Sequence, residues 1–354
     1  MPNNDRYNYS IALLRIIAAV MVVFLHILGH GGAIAFEAGS PNFKIAWLME
    51  LAVFGAVNIF ALITGYVSCH GSFKPQRILK LWLEALIYSV GLTLVSFALT
   101  HFDLFEAQAV GEGFNIITLL KSFIPVISNR WWYFTAYFVL FFFMPFINRL
   151  LEALDDKLLM SLCIILLLTF SIMNAFDFFI GSELFGLRRG YSVAHLAVLY
   201  IYGAAIRRFE DRLKMINRFW FLGGYVFMVL LMWILKLFVP SVGNRLVNYG
   251  SLTTILGAVC LFIFVLRIDI KNVAMQKVVR NVSKTALALY LISDHALIRR
   301  IFITDKLLPY ENAGVGGFVV RVLLSGVVAA VLCMVADMIR GFIFDRIEGI
   351  KKNQ

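Results

Sequence analysis

The sequence predicts an all-α fold: a polytopic transmembrane helical bundle of about ten helices. Three observations lead there. Hydrophobic residues make up 61% of the chain and charged residues only 15%, with a mean hydropathy of +0.85; soluble domains carry about 25% charged residues. Apolar runs of near-spanning length recur throughout, with no stretch between them long enough for a soluble domain. Lysine and arginine concentrate in alternate loops, the pattern of short cytoplasmic segments. Residues 1–354 therefore form one integral-membrane domain. The net charge of +11 belongs to loops facing anionic lipid, so membrane lipid and not nucleic acid is the expected partner. Cys69, Cys163, Cys260 and Cys333 all lie in or at the ends of apolar runs, with no CxxC and no pairing pattern. Neither a disulfide framework nor a metal site is expected.

The predicted helices run over 11–29, 46–68, 78–99, 131–150, 158–176, 192–206, 218–238, 251–266, 283–302 and 314–340. The first follows Arg6 and precedes Ala33-Ile34-Ala35, as a cleaved leader would. Its apolar run exceeds the 7–15 residues of a leader's core, so it reads as an uncleaved membrane helix. The sixth and eighth are short for a span. The stretch 114–128, with Lys121 and Pro125, is shorter still and reads as interfacial or re-entrant. With the N-terminus inside, twenty lysines and arginines fall on the inner side and ten on the outer. Both termini are thus expected in the cytoplasm of a multi-pass inner-membrane protein, with 100–130 and 177–190 outside.

The first helix holds two polar residues at membrane depth, Arg15 and His26. Eleven steps of about 100° bring them to one helix face, some 16 Å apart along the axis, with Ala19 and Val22 between them. An ionisable group at this depth is costly and marks function by default. The competing reading is a snorkelling arginine and a helix-bonding histidine. Under the predicted topology His26, Tyr133, His195, Ser293, Asp294, His295 and Arg321 all fall in the outer half, which predicts a shared polar cavity. Each also has a plainer role. Tyr133 beside Trp131 and Trp132 suits an aromatic belt, His195 a helix–helix bond, and Asp294 and His295 a helix end. On the inner side Lys74, Arg77 and Lys80 recur every three residues at the start of the third helix. They serve either as membrane anchors or as a dock for a phosphate-bearing ligand.

These features resemble the acyltransferase 3 family of integral-membrane O-acyltransferases, and most closely its polysaccharide O-acetyltransferase branch. Arg15 and His26 match the family's Arg-x10-His pattern. Asn58 to Tyr66 ends in Thr64-Gly65-Tyr66, similar to the family's FxxISGY. Trp132 to Tyr137 resembles WFxxAY, Gly203 to Arg207 resembles GxxIR, and Tyr290 to His295 resembles YLIHD. The likeness runs from about residue 8 to 340. It departs at Lys74, where the family's basic motif has arginine, and at Ser293, where many relatives have histidine; His295 lies two places on.

What the resemblance implies is transfer of an acyl group, by default acetyl, from cytoplasmic acyl-CoA to a hydroxyl of an extracytoplasmic polysaccharide or lipid-linked sugar. Acyl-CoA would be a co-substrate, with no bound cofactor. His26 would act as general base or as acyl carrier, and Arg15 would place the donor. Lys74, Arg77 and Lys80 would hold the CoA nucleotide, while Asn58, Tyr133, Tyr290 or Ser293 would donate to the thioester oxyanion. The rival class is a secondary transporter of a small or lipid-linked sugar, suited by the helix count and by Gly223-Gly224 and Gly316-Gly317.

Overall fold

A computed structural model describes residues 7–102, 115–172 and 187–352. Arg6 and parts of the two predicted outer loops lie outside the described residues. All described secondary structure is helical. Six helical stretches are long and apolar enough to cross a membrane: Tyr9–His30, Pro41–Ser68, Pro75–His101, Trp132–Ala153, Arg218–Phe238 and Val315–Phe344. Leu252–Leu266 is apolar but shorter.

Helix α1 (Tyr9–His30) starts where the Asn8 side chain accepts the Ile11 amide and closes on the Gly31 amide at Ile27 O. Residues 46–68, expected as one helix, form two: α2 (Pro41–Val53) and α3 (Ala56–Ser68). The start moves to Pro41 because Ser40 caps the helix and proline suits its first turn. The break falls at Gly55, which lies against Ala258 of a neighbouring helix. Then follow α4 (Pro75–His101), the short α5 (Ile116–Ser122), α6 (Trp132–Ala153), and α7 (Asp156–Leu167), which continues as a π turn. Next come α8 (Val193–Arg208), α9 (Glu210–Lys214), α10 (Arg218–Phe238), α11 (Pro240–Leu246) and α12 (Leu252–Leu266). The chain ends with α13 (Val273–Val282), α14 (Ala286–Ser293), α15 (Ala296–Ile298) and α16 (Val315–Lys352).

The ninth predicted helix, 283–302, is thus also interrupted. At His295 the backbone turns extended and the imidazole accepts the Leu297 amide as an N-cap. A capping side chain offers the backbone an alternative to continued helix, and the interruption leaves Ser293, Asp294 and His295 at a helix end.

Helix α1 is the hub, packing against α2, α3, α12, α13, α14 and α16. The most extensive pairing is α3 with α8, and it depends on two glycines. A Cβ on Gly65 would collide with the Tyr200 carbonyl, and one on Gly203 with the Leu62 carbonyl. Small residues at such crossings let helix backbones touch inside a membrane. Gly65→Ala is expected to separate the helices and cost about 1–3 kcal/mol, as overpacking does. A lowered thermal unfolding midpoint in detergent checks it, and an unchanged midpoint would contradict the packing.

The loops sort onto two ends, as the basic residues predict. At the Tyr9 end Tyr7 meets Ser283 and Ser10 bonds Ile268 O. Arg267 bonds Lys214 O, and Arg212 pairs with Asp156. At the same end Tyr66, from the Thr-Gly-Tyr ending of α3, donates to Glu210 at 2.6 Å, and Arg207 donates to both at 2.9 Å. Two of the sequence motifs are therefore one interlocked joint. Burial raises the Glu210 carboxyl, but hydrogen bonds from Tyr66 and Lys214 and the charge of Arg207 outweigh it and hold the group below its ordinary value. Such a group stabilises the fold at neutral pH, and that contribution is lost as pH falls through its lowered value. At the His30 end, Asp305 N donates to His30 O, Asn42 to the Tyr310, Glu311 and Ala313 carbonyls, and Arg130 lies 2.7 Å from His295.

Candidate active site

A cavity of about 620 Å³ runs between α1, α3, α4, α6 and α14. Arg15, Val22 and His26 form its α1 wall, so the shared face derived from their spacing is a real surface. Ala19 is packed in the core instead. Arg77 and Lys80 of α4 line the Tyr9 end, together with Lys284, to which no sequence motif points. No aspartate or glutamate is among the residues that line it. Among the described residues, none of these four cations forms an ion pair. Unmatched positive charge in a low-dielectric cleft attracts anions and focuses them inward. The cavity walls are otherwise mainly apolar and aromatic, as in most small-molecule sites.

His26 is fixed at its other edge. Its Nδ1 lies 2.8 Å from Ser293 Oγ, and Ser293 Oγ donates to the Leu289 carbonyl at 2.5 Å. The hydroxyl has a single proton, and a carbonyl can only accept. Ser293 must therefore accept from His26, which places the imidazole proton on Nδ1 and the lone pair on Nε2. A histidine so held presents a base. Ser293→Ala frees the tautomer. Losing one hydrogen bond of about 1.4 kcal/mol corresponds to roughly tenfold in rate, so turnover is expected to fall about that much with donor affinity unchanged. Steady-state kinetics in both substrates check this; an unchanged kcat would contradict the orienting role.

The remaining sequence candidates divide. Tyr133 and Tyr290 both line the cavity, and the Tyr133 amide donates to the Tyr290 hydroxyl at 3.3 Å. Asn58 and His195 lie behind the wall: His195 Nε2 meets Asn58 Oδ1 at 3.2 Å, and Asn58 Nδ2 holds the Tyr249 carbonyl at 2.8 Å. Tyr249 itself lines the cavity, and no motif pointed to it. Asp294 sits beyond His26, 3.1 Å from Arg299 and 3.8 Å from His30. His295 does not line the cavity. Its Nε2 lies 2.7 Å from the Arg130 guanidinium and its Nδ1 3.2 Å from the Leu297 amide; both partners are donors, and a neutral imidazole accepts at only one of its two nitrogens. Arg130 also donates to Thr93. Arg321 is exposed on α16 with its guanidinium over Tyr310, and Lys74 stands at the N-cap of α4, outside the cavity lining.

Among the described residues, the cavity thus combines a held imidazole with cations and no lining carboxylate. A family model described as an acyltransferase domain, Acyl_transf_3, matches residues 8–338. No curated protein and no solved structure matches the chain. The match takes in α1 and the whole cavity, and it sets the transporter reading aside: the chain belongs to the acyltransferase 3 family and is a membrane acyltransferase.

Proposed function

We propose that the protein moves an acyl group, by default acetyl, from cytoplasmic acyl-CoA to a hydroxyl of an extracytoplasmic polysaccharide or lipid-linked sugar. The observation that supports this reading is the cavity itself, in which four cations, without an ion-pair partner among the described residues, and His26 line one continuous space. The CoA phosphates lie against Arg77, Lys80 and Lys284 at the Tyr9 end, which the excess of basic loops assigns to the cytoplasm. The pantetheine arm follows the α1 wall past Arg15. This brings the thioester to His26, about 16 Å further along the helix axis.

There, Nε2 of His26 takes the proton of the acceptor hydroxyl as its oxygen attacks the thioester carbonyl. The C–S bond breaks, the proton passes to the departing sulfur, and CoA leaves as the free thiol. Tyr133 and Tyr290 stand beside this end of the cavity with phenol hydroxyls, the donors best placed for the oxyanion. The alternative course, acylation of His26 followed by transfer to the sugar, uses the same geometry. Purified protein mixed with radiolabelled acetyl-CoA and O-deacetylated envelope polysaccharide tests the reading. Label in the polysaccharide supports it. Failure to bind acetyl-CoA at all would overturn it.

A further inference from the structure

At the His30 end the cavity meets an aromatic cluster that the reaction chemistry above leaves unused. Tyr249 lies between two near-parallel rings, Phe54 at 4.8 Å and Trp132 at 5.8 Å, with interplanar angles of 20° and 21°. Tyr191 closes on both, 4.5 Å from Trp132 and 5.1 Å from Tyr249. Trp132 and Tyr249 line the cavity, whereas Tyr191 is 45% exposed. The cluster therefore forms a continuous aromatic path from the protein surface to the cavity that holds His26. Its rings are held by stacking, so little conformational entropy remains to be lost when a ligand settles there. The Tyr249 backbone is pinned as well, through Asn58 and His195. A further polar group lies nearby. Glu50 of α2 is buried, and among the described residues its Oε2 has no hydrogen-bond partner.

We propose that Trp132, Tyr191 and Tyr249 form the acceptor subsite, a shelf that takes the ring of a pyranose sugar and guides its hydroxyl to His26. This rests on the acyltransferase reading given above. A pyranose has one flat face of C–H groups and a rim of hydroxyls. Tyr191 and Trp132 offer the aromatic face, with Tyr249, stacked between Phe54 and Trp132, as their support, and the exposed Tyr191 phenol matches the rim. A phosphate-bearing donor fits the opposite end, where Arg77, Lys80 and Lys284 line the cavity. The subsite selects for a sugar ring and against a simple alkyl alcohol, which has no face to stack.

Tyr191 is the residue to vary, because it is the exposed member of the cluster, outside the buried core that holds Tyr249. The probe is O-deacetylated envelope polysaccharide from the cells that carry the protein. Three quantities are read on the full-length purified protein: the polysaccharide concentration for half-maximal acetyl transfer, saturation-transfer NMR from protein to sugar ring protons, and acetyl-CoA affinity. Tyr191→Ala and Tyr191→Leu are expected to raise the first at least tenfold and to lose the NMR signal, with acetyl-CoA affinity unchanged. Tyr191→Phe and Tyr191→Trp are expected to keep both. Wild-type behaviour in Tyr191→Leu would overturn the shelf, since leucine replaces the bulk but not the ring. So would the absence of sugar saturation with wild-type protein. Sugar saturation without transfer from acetyl-CoA would instead retain the subsite and refute the donor.

Discussion

His26→Gln is expected to abolish acyl transfer while leaving insertion and folding intact. Glutamine keeps a polar group of similar reach, so it can still face Ser293 Oγ where Nδ1 does now at 2.8 Å. It cannot accept and return a proton. General-base assistance is worth about 10²–10⁴-fold, so the residual rate should fall to the floor of a radiolabel assay. Acetyl-CoA affinity should be unaffected, because the charges that face the phosphates are elsewhere. Normal membrane yield with no transfer is the expected pair of results. Near-normal transfer would return His26 to a helix-packing role. The other buried histidines would not easily replace it: His195 is spent on Asn58 and His295 on Arg130.

Loss of the Tyr9-end cations should have the opposite signature. Arg77→Ala combined with Lys80→Ala removes two of the four cavity cations. Hydrogen bonds to charged groups are worth about 1.5–3 kcal/mol each, so the pair should weaken acetyl-CoA binding by at least a hundredfold. Transfer at saturating donor should recover most of its rate. Lys74→Ala, outside the cavity lining, should change donor affinity little, although the sequence spacing grouped it with the other two. Titration calorimetry with acetyl-CoA reads both variants. Unchanged affinity in the double variant would leave these residues as membrane anchors only.

Much of this arrangement was legible in the sequence. The Arg15 and His26 spacing alone fixed a shared helix face, because both lie on one uninterrupted helix. Loop charge predicted which loops share an end, and the described loops sort onto two ends in that way. What the sequence could not reveal depends on how helices are cut and crossed. Periodicity carried the helix through Gly55 and through His295, since both runs are apolar on either side of the break. A cap that forms only when His295 finds the Leu297 amide has no signature in hydropathy. The break also settles where Ser293 and His295 point, which helical rotation alone left open: Ser293 to His26, His295 to Arg130. Lys284 looks like any loop cation, and nothing local marks Tyr249, whose backbone is held by Asn58, far away in sequence. Arg321 was placed by depth, but its helix faces it towards Tyr310 and away from the cavity.

The central claim is that one cavity joins a donor entrance at the Tyr9 end to an acceptor at the His30 end. Proteoliposomes with the protein in a single orientation test it most directly, with radiolabelled acetyl-CoA confined to one compartment and O-deacetylated polysaccharide to the other. The account predicts labelled polysaccharide only when acetyl-CoA bathes the face carrying Arg77, Lys80 and Lys284. Equal labelling from acetyl-CoA supplied at the His30 face, with the polysaccharide on the Lys284 side, would contradict it.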